Sequence, residues 1–168
     1  MEAESIVNGR PLTMDHLNSS DNPTPLTPNN LLTMKTKIVL PPPSIFVKED
    51  LYCTKRWRRA QFLANLFWSR WRKEYVQSLQ IRNKWTTPHK NLGVNDIVII
   101  KDQNTPRNQW KLGKITEAHP DNDGLVRKVK VLVSDSNFDN PGKHIKTNRT
   151  ILERPVHSLV LLLENNDV

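Results

Sequence analysis

Two short runs, Lys55-Arg56-x-Arg58-Arg59 and Arg70-x-Arg72-Lys73, concentrate the side chains best suited to bind a polyanion. Arginine and lysine neutralise phosphates and release the counterions condensed on them, a gain that does not depend on base sequence. Trp57, Trp68 and Trp71 lie among these cations, with Phe62 and Phe67 nearby. An exposed tryptophan can stack on bases, whereas a packed one fixes its helix to a core, and packing is the favoured reading here. A second set, Arg107, Lys111, Lys114, Arg127, Lys128 and Lys130, would extend a phosphate-tracking surface, although ten acids share that part of the chain and weaken it. The run at 55–59 also fits a nuclear-localisation patch, which is compatible with DNA binding.

Other chemistries find little support. Asp96, Asp102, Asp121, Asp123, Asp135 and Asp139 fall at strand starts and turns, where carboxylates cap backbone amides. The histidines at 16, 89, 119, 144 and 157 lack the spacing of a zinc site. Cys53 is the only cysteine, which excludes an internal disulfide framework, and it lacks the histidine pattern of a catalytic thiol. No Gly-rich phosphate loop is present. No catalytic residue, metal, cofactor or small-molecule substrate is expected.

These residues need elements to hold them. Residues 54–81 contain neither Gly nor Pro, and apolar or small residues recur at 57, 60, 64, 67, 68, 71, 75 and 79, which predicts a long amphipathic helix. Thr54 is its expected N-cap, and the cationic first turn opposes the helix dipole. Beyond Thr87-Pro88 the pattern changes to β-branched runs divided by turn signals. Strands are expected at 96–101, 110–118, 125–134, 150–152 with 154–157, and 159–163. Val94-Asn95 marks a left-handed turn before the first, Asp121-Asn122-Asp123-Gly124 a tight connection, and 135–148 a polar loop. Ahead of the helix, prolines at 11, 23, 25, 28, 41, 42 and 43 predict an extended arm, preceded by a helical stretch over 2–8 that Gly9 and Pro11 end.

The expected class is therefore α+β: an extended proline-rich arm (1–50), one long basic amphipathic helix (51–88) and a small SH3-like or chromo-like antiparallel β-barrel (89–168). A chain of 168 residues, 36% hydrophobic, supports one modest domain with extensions. Mean hydropathy is −0.61, the apolar run at 159–163 is far too short to span a bilayer, and the first twenty residues show no signal-type apolar region. An intracellular, nuclear protein without a membrane partner is expected, so the sequons at Asn18 and Asn148 carry no meaning. The formal charge of +8 is uneven: −2 over 1–54, +9 over 55–90 and +1 over 91–168. One segment carries the excess, and nucleic acid is the commonest intracellular partner for such a field.

Several ordered motifs resemble one known family. Gly93-Val94-Asn95-Asp96-Ile97-Val98-Ile99-Ile100-Lys101-Asp102, then Pro106-Arg107-x-x-Trp110-x-Leu112-Gly113-Lys114-Ile115, then His119-Pro120-x-x-Asp123-Gly124-Leu125-Val126-Arg127, and finally Arg154-Pro155-Val156-His157-x-Leu159-Val160-Leu161-Leu162, resemble the C-terminal domain of BEL/Pao-type retrotransposon integrases. Upstream, Ile6-Val7-Asn8-Gly9-Arg10-Pro11-Leu12-Thr13 and Pro25-Leu26-Thr27-Pro28-Asn29-Asn30-Leu31-Leu32 look like the end of the integrase catalytic core and its exit segment. Arg56-Trp57 through Trp71 and Tyr75 looks like the helix that follows. Asn95 stands where the family usually has Gly, Lys111 where Pro is common and Asn30 where His is common. The resemblance implies a nucleic-acid-associated domain of DNA integration in which an SH3-like barrel accompanies an RNase H-like core. The metal-binding acidic triad of that core is expected upstream of this chain, so Glu2 and Glu4 are not part of it. The rival expectation is a protein-interaction module, whose barrel groove and aromatic helix bind a peptide, a chromatin protein or another integrase subunit.

Overall fold

The computed structural model describes residues 2–13, 25–34, 40–80, 91–102, 105–134 and 149–165. The Thr87-Pro88 break, the loop at 135–148 with Asp135 and Asp139, the sequon asparagines Asn18 and Asn148 and the histidines at 16, 89 and 144 lie outside them. So does much of the proline-rich stretch, at 14–24 and 35–39.

The chain opens with a short helix, α1 (Glu2–Asn8), which stops ahead of Gly9 and Pro11. Leu26 then pairs with Thr13 in a single antiparallel bridge. Thr27 caps α2 (Pro28–Thr33): its hydroxyl accepts from the Asn30 amide while Asn30 Oδ1 accepts from the Thr27 amide at 2.8 Å. Asn29 Nδ2 donates to the Ser5 carbonyl at 2.9 Å, tying α2 to α1. A 3-10 turn, Lys48–Tyr52, leads into α3 (Arg56–Leu79). Lys55, not Thr54, occupies the N-cap of α3, with no side-chain hydrogen bond.

Five strands follow: β1 (Ile97–Ile100), β2 (Leu112–Pro120), β3 (Val126–Ser134), β4 (Arg149–Pro155) and β5 (Leu159–Leu163). They form one antiparallel sheet in the order β4-β3-β2-β1-β5. Asn95 precedes β1 at φ 72°, and Gly124 closes the β2–β3 turn at φ 76°, left-handed positions that their residue types suit. Asp96 is buried at the start of β1, where its carboxylate accepts from the Gly93 amide at 2.8 Å and the Asn165 amide at 3.0 Å. It thereby joins the entry of β1 to the exit of β5.

The class is α+β, and the expected barrel is not closed, because β4 and β5 are the two edges and share no ladder. These edges are nevertheless joined only by the 3-10 turn Val156–Ser158. A flat five-stranded sheet would set its edges roughly 19 Å apart, whereas the four steps from Pro155 to Leu159 reach at most about 14 Å. The sheet must therefore curl. Its curl encloses a core of Val98, Ile100, Ile115, Val129, Val131, Val133 and Leu159. The alternate residues of β1, Ile97 and Ile99, join Leu112 and Val160 on the opposite face, where α3 and α1 cover them with Ala64, Trp68 and Ile6. β1 is buried on both faces, which explains its uninterrupted Ile-Val-Ile-Ile.

Candidate nucleic-acid interface

α3 runs 24 residues, about 36 Å at 1.5 Å per residue. Its buried residues are Gln61, Ala64 and Trp68, with Trp71, Tyr75 and Leu79 partly buried alongside. At 100° per residue the opposite face carries Arg59, Leu63, Leu66, Arg70 and Lys73, with Lys55 and Arg56 at its start. Lys55, Arg56, Arg59, Arg70 and Lys73 are exposed and form no ion pair among the described residues. Arg59 and Arg70 stand roughly 16 Å apart along the axis, and Leu63 and Leu66 between them are 44% and 41% exposed. The structure thus lines up five of the seven expected helix cations on one outward face.

The other two are engaged. Arg58 Nε donates to Asp50 Oδ1 at 2.7 Å and Nη2 to Oδ2 at 3.2 Å, with Phe46 under the guanidinium at 5.6 Å. Asp50 is buried and also accepts from the Val47 amide at 2.9 Å. Arg58 and then the Val47 amide hold this carboxyl below the usual Asp range. The acid lies just ahead of α3, where it offsets the cationic first turn. Arg72 is half-buried with its guanidinium 5.8 Å from the Trp68 ring, and burial pushes its pKa down while Asp102 opposes that shift.

The second expected set does not join this face as free charge. Arg107 is only 5% exposed: Nη2 donates to Gln61 Oε1 at 2.6 Å and Nη1 to Asn65 Oδ1 at 3.2 Å, with Glu2 Oε2 3.7 Å away. Burial lowers its pKa, and Glu2 acts against that. Among the others, Lys111 pairs with Asp102 and Arg127 is forked between Asp121 and Asp123. Lys128 lies 3.5 Å from Glu153 and Lys130 2.7 Å from Glu117, while Lys114 is half-buried on β2. Lys130, then His119, keeps Glu117 below the usual range, and Arg127, then the Leu125 amide, does the same for Asp123. Lys111, Arg127, Lys128 and Lys130 are thus balanced by local acids. A cleft of about 560 Å³ between α3 and β1 brings Arg72 and Lys73 to Lys101 and Lys111, with Asp102 and Trp110 in its lining.

Trp68 is buried and Trp71 half-buried, as packing predicts, but Trp57 is 53% exposed and meets Phe46 edge-on at 5.5 Å. The inward stripe passes through Gln61 rather than residues 57 and 60, so apolarity alone misplaces its beginning. Three partners escaped sequence reasoning: Asp50 and Phe46 for Arg58, and Gln61 for Arg107. An acid a few residues ahead of a basic helix start was the available signal for Asp50. Among the described residues no three His, Cys, Asp or Glu side chains gather to hold a metal, and no helix is long and apolar enough to cross a membrane.

Residues 55–162 match DUF5641, described as a family of unknown function. Neither a curated protein nor a solved structure matches the chain. With more than half of its residues inside that match, among them all of α3 and the first four strands, the chain belongs to the DUF5641 family.

Proposed function

We propose that the chain is a non-catalytic, nucleic-acid-binding part of a retrotransposon-like integrase, holding duplex DNA largely without sequence preference in a nuclear setting. The observation that carries this reading is the outward face of α3, where Lys55, Arg56, Arg59, Arg70 and Lys73 stand exposed without ion pairs among the described residues. Cations left unpaired on one rigid element bind phosphates by counterion release, and such a row tracks a backbone without reading bases. The ordered motifs from Gly93 to Leu162 support the integrase context, and the curled sheet is taken as an SH3-like barrel. The sheet cations are secondary contacts at most in this reading, and Arg107 is not one of them.

Exposed Leu63 and Leu66 within the same face favour a second reading, a protein-protein interface with integrase subunits or chromatin proteins. Fluorescence anisotropy of the full chain on a random-sequence duplex, titrated at several salt concentrations, separates the two. DNA binding predicts a log-log salt slope of roughly −4.5 for five phosphate contacts, reduced in the Arg59→Glu/Arg70→Glu variant. No binding at low salt, together with a concentration-dependent sedimentation coefficient, would instead establish the interaction module.

A further inference from the structure

Four aromatic rings form a recess beside α3 that is filled by a segment outside the family match. Trp110 packs edge-on against Trp68 at 5.2 Å, Tyr75 at 5.5 Å and Trp71 at 5.9 Å, while Trp71 and Tyr75 stack at 5.2 Å. Ile6 of α1 is fully buried in the cluster that contains Trp68 and Trp110. Beyond α1 the recess grips main chain: Trp110 Nε1 donates to the Gly9 carbonyl at 3.0 Å and the Tyr75 hydroxyl to the Pro11 carbonyl at 3.3 Å. At the other end, Gln61 Nε2 donates to Glu2 Oε1 at 3.2 Å, and Arg107 lies within ion-pair range of the same carboxylate.

We infer that this recess is a peptide-docking site, and that its occupant is the chain's own segment 2–13, bound as a separable ligand. The contacts are those of peptide recognition: two fully buried apolar anchors, Ile6 and Pro11, a carboxylate paired at one end, and backbone carbonyls captured by side-chain donors. A seven-residue helix is too short to persist in water by itself, so docking is what orders α1. The family match begins at residue 55, so the recess lies on the matched domain and its occupant does not. Docking takes the inward side of α3, leaving Arg59, Arg70 and Lys73 outward. The inference is independent of nucleic-acid binding and assigns the segment a definite job: fixing whatever it is joined to against the basic helix.

The test uses the full chain with a protease recognition sequence inserted after Leu17, cut under native conditions. The cut N-terminal piece is expected to co-elute with the remainder on gel filtration. A synthetic peptide of residues 1–13, fluorescently labelled at its C-terminus, is expected to exchange into the cut protein with a rise in anisotropy. Ile6→Ala in that peptide should weaken its binding by at least about thirtyfold, and Trp110→Phe in the protein by about fivefold. Placing the decisive substitution in the peptide keeps the test valid even if the protein variant misfolds. Loss of the cut piece while the remainder keeps its thermal transition would overturn the inference. Unfolding of the remainder on cutting, or retention of the piece with no exchange against excess peptide, would also overturn it, since either makes the segment an inseparable part of the core.

Discussion

Asp50 holds Arg58 in a two-pronged ion pair, 2.7 Å from Nε and 3.2 Å from Nη2, at the mouth of the helix whose Arg59, Arg70 and Lys73 face solvent. A guanidinium with both prongs committed to a carboxylate has little left for a phosphate. Arg58 and Arg59 are adjacent in sequence and should therefore differ in role. Arg59→Ala is expected to reduce the salt slope of DNA binding by about one unit with little change in thermal midpoint. Arg58→Ala should leave the slope unchanged and lower the midpoint. Anisotropy and differential scanning fluorimetry on the two variants check this.

Acid should loosen the protein through a few identifiable carboxylates. Asp50, Glu117 and Asp123 are all held below their usual values of 3.8, 4.5 and 3.8, chiefly by Arg58, Lys130 and Arg127. The unfolded chain takes up protons at higher pH than the folded chain, so their contribution is complete above the unfolded values and disappears as pH falls through the folded ones. Thermal midpoints measured from pH 7 to pH 3 should stay level as far as these groups act, then drop below about pH 4.5. Asp50→Asn should lower the neutral-pH plateau and flatten part of the acid limb.

Gly113 on β2 lies opposite Val133 of β3. A Cβ there would lie 2.2 Å from Val131 Cγ1 and 3.2 Å from the Leu132 carbonyl oxygen. Val131 is fully buried in the core of the curl and has no room to move aside. Gly113→Ala is expected to destabilise by about 1–3 kcal/mol, the usual range for overpacking. Urea denaturation followed by tryptophan fluorescence measures it.

Asn95 adopts φ 72° in the turn before β1, with its amide 2.8 Å from the Ile115 carbonyl. Glycine enters this region without steric cost and alanine does not, so the two substitutions should move stability in opposite directions. Asn95→Ala should cost about 1 kcal/mol, while Asn95→Gly should be neutral or slightly stabilising. Chemical denaturation of both variants decides it.

Much of the element order could be read directly from the sequence, because it rests on local chemistry. The Gly- and Pro-free stretch became α3, the β-branched runs became strands near their expected places, and Asn95 and Gly124 took the left-handed turns that their side chains tolerate. The grouping of cations on α3 was equally legible, since helical spacing places Arg59, Arg70 and Lys73 on one face. The tertiary structure alone decided which charges stay available. Arg107 is buried against Gln61 and Asn65, 46 and 42 residues away in the chain, Arg58 is claimed by Asp50, and Lys130 meets Glu117 across two strands. It also decided that the sheet curls without closing and that Ile6, at the far end of a proline-rich arm, is buried in one cluster with Trp68 and Trp110. Helical and strand periods act over a few residues and are written in them. Burial and charge pairing depend on which distant segments meet, and that is settled only when the whole chain packs.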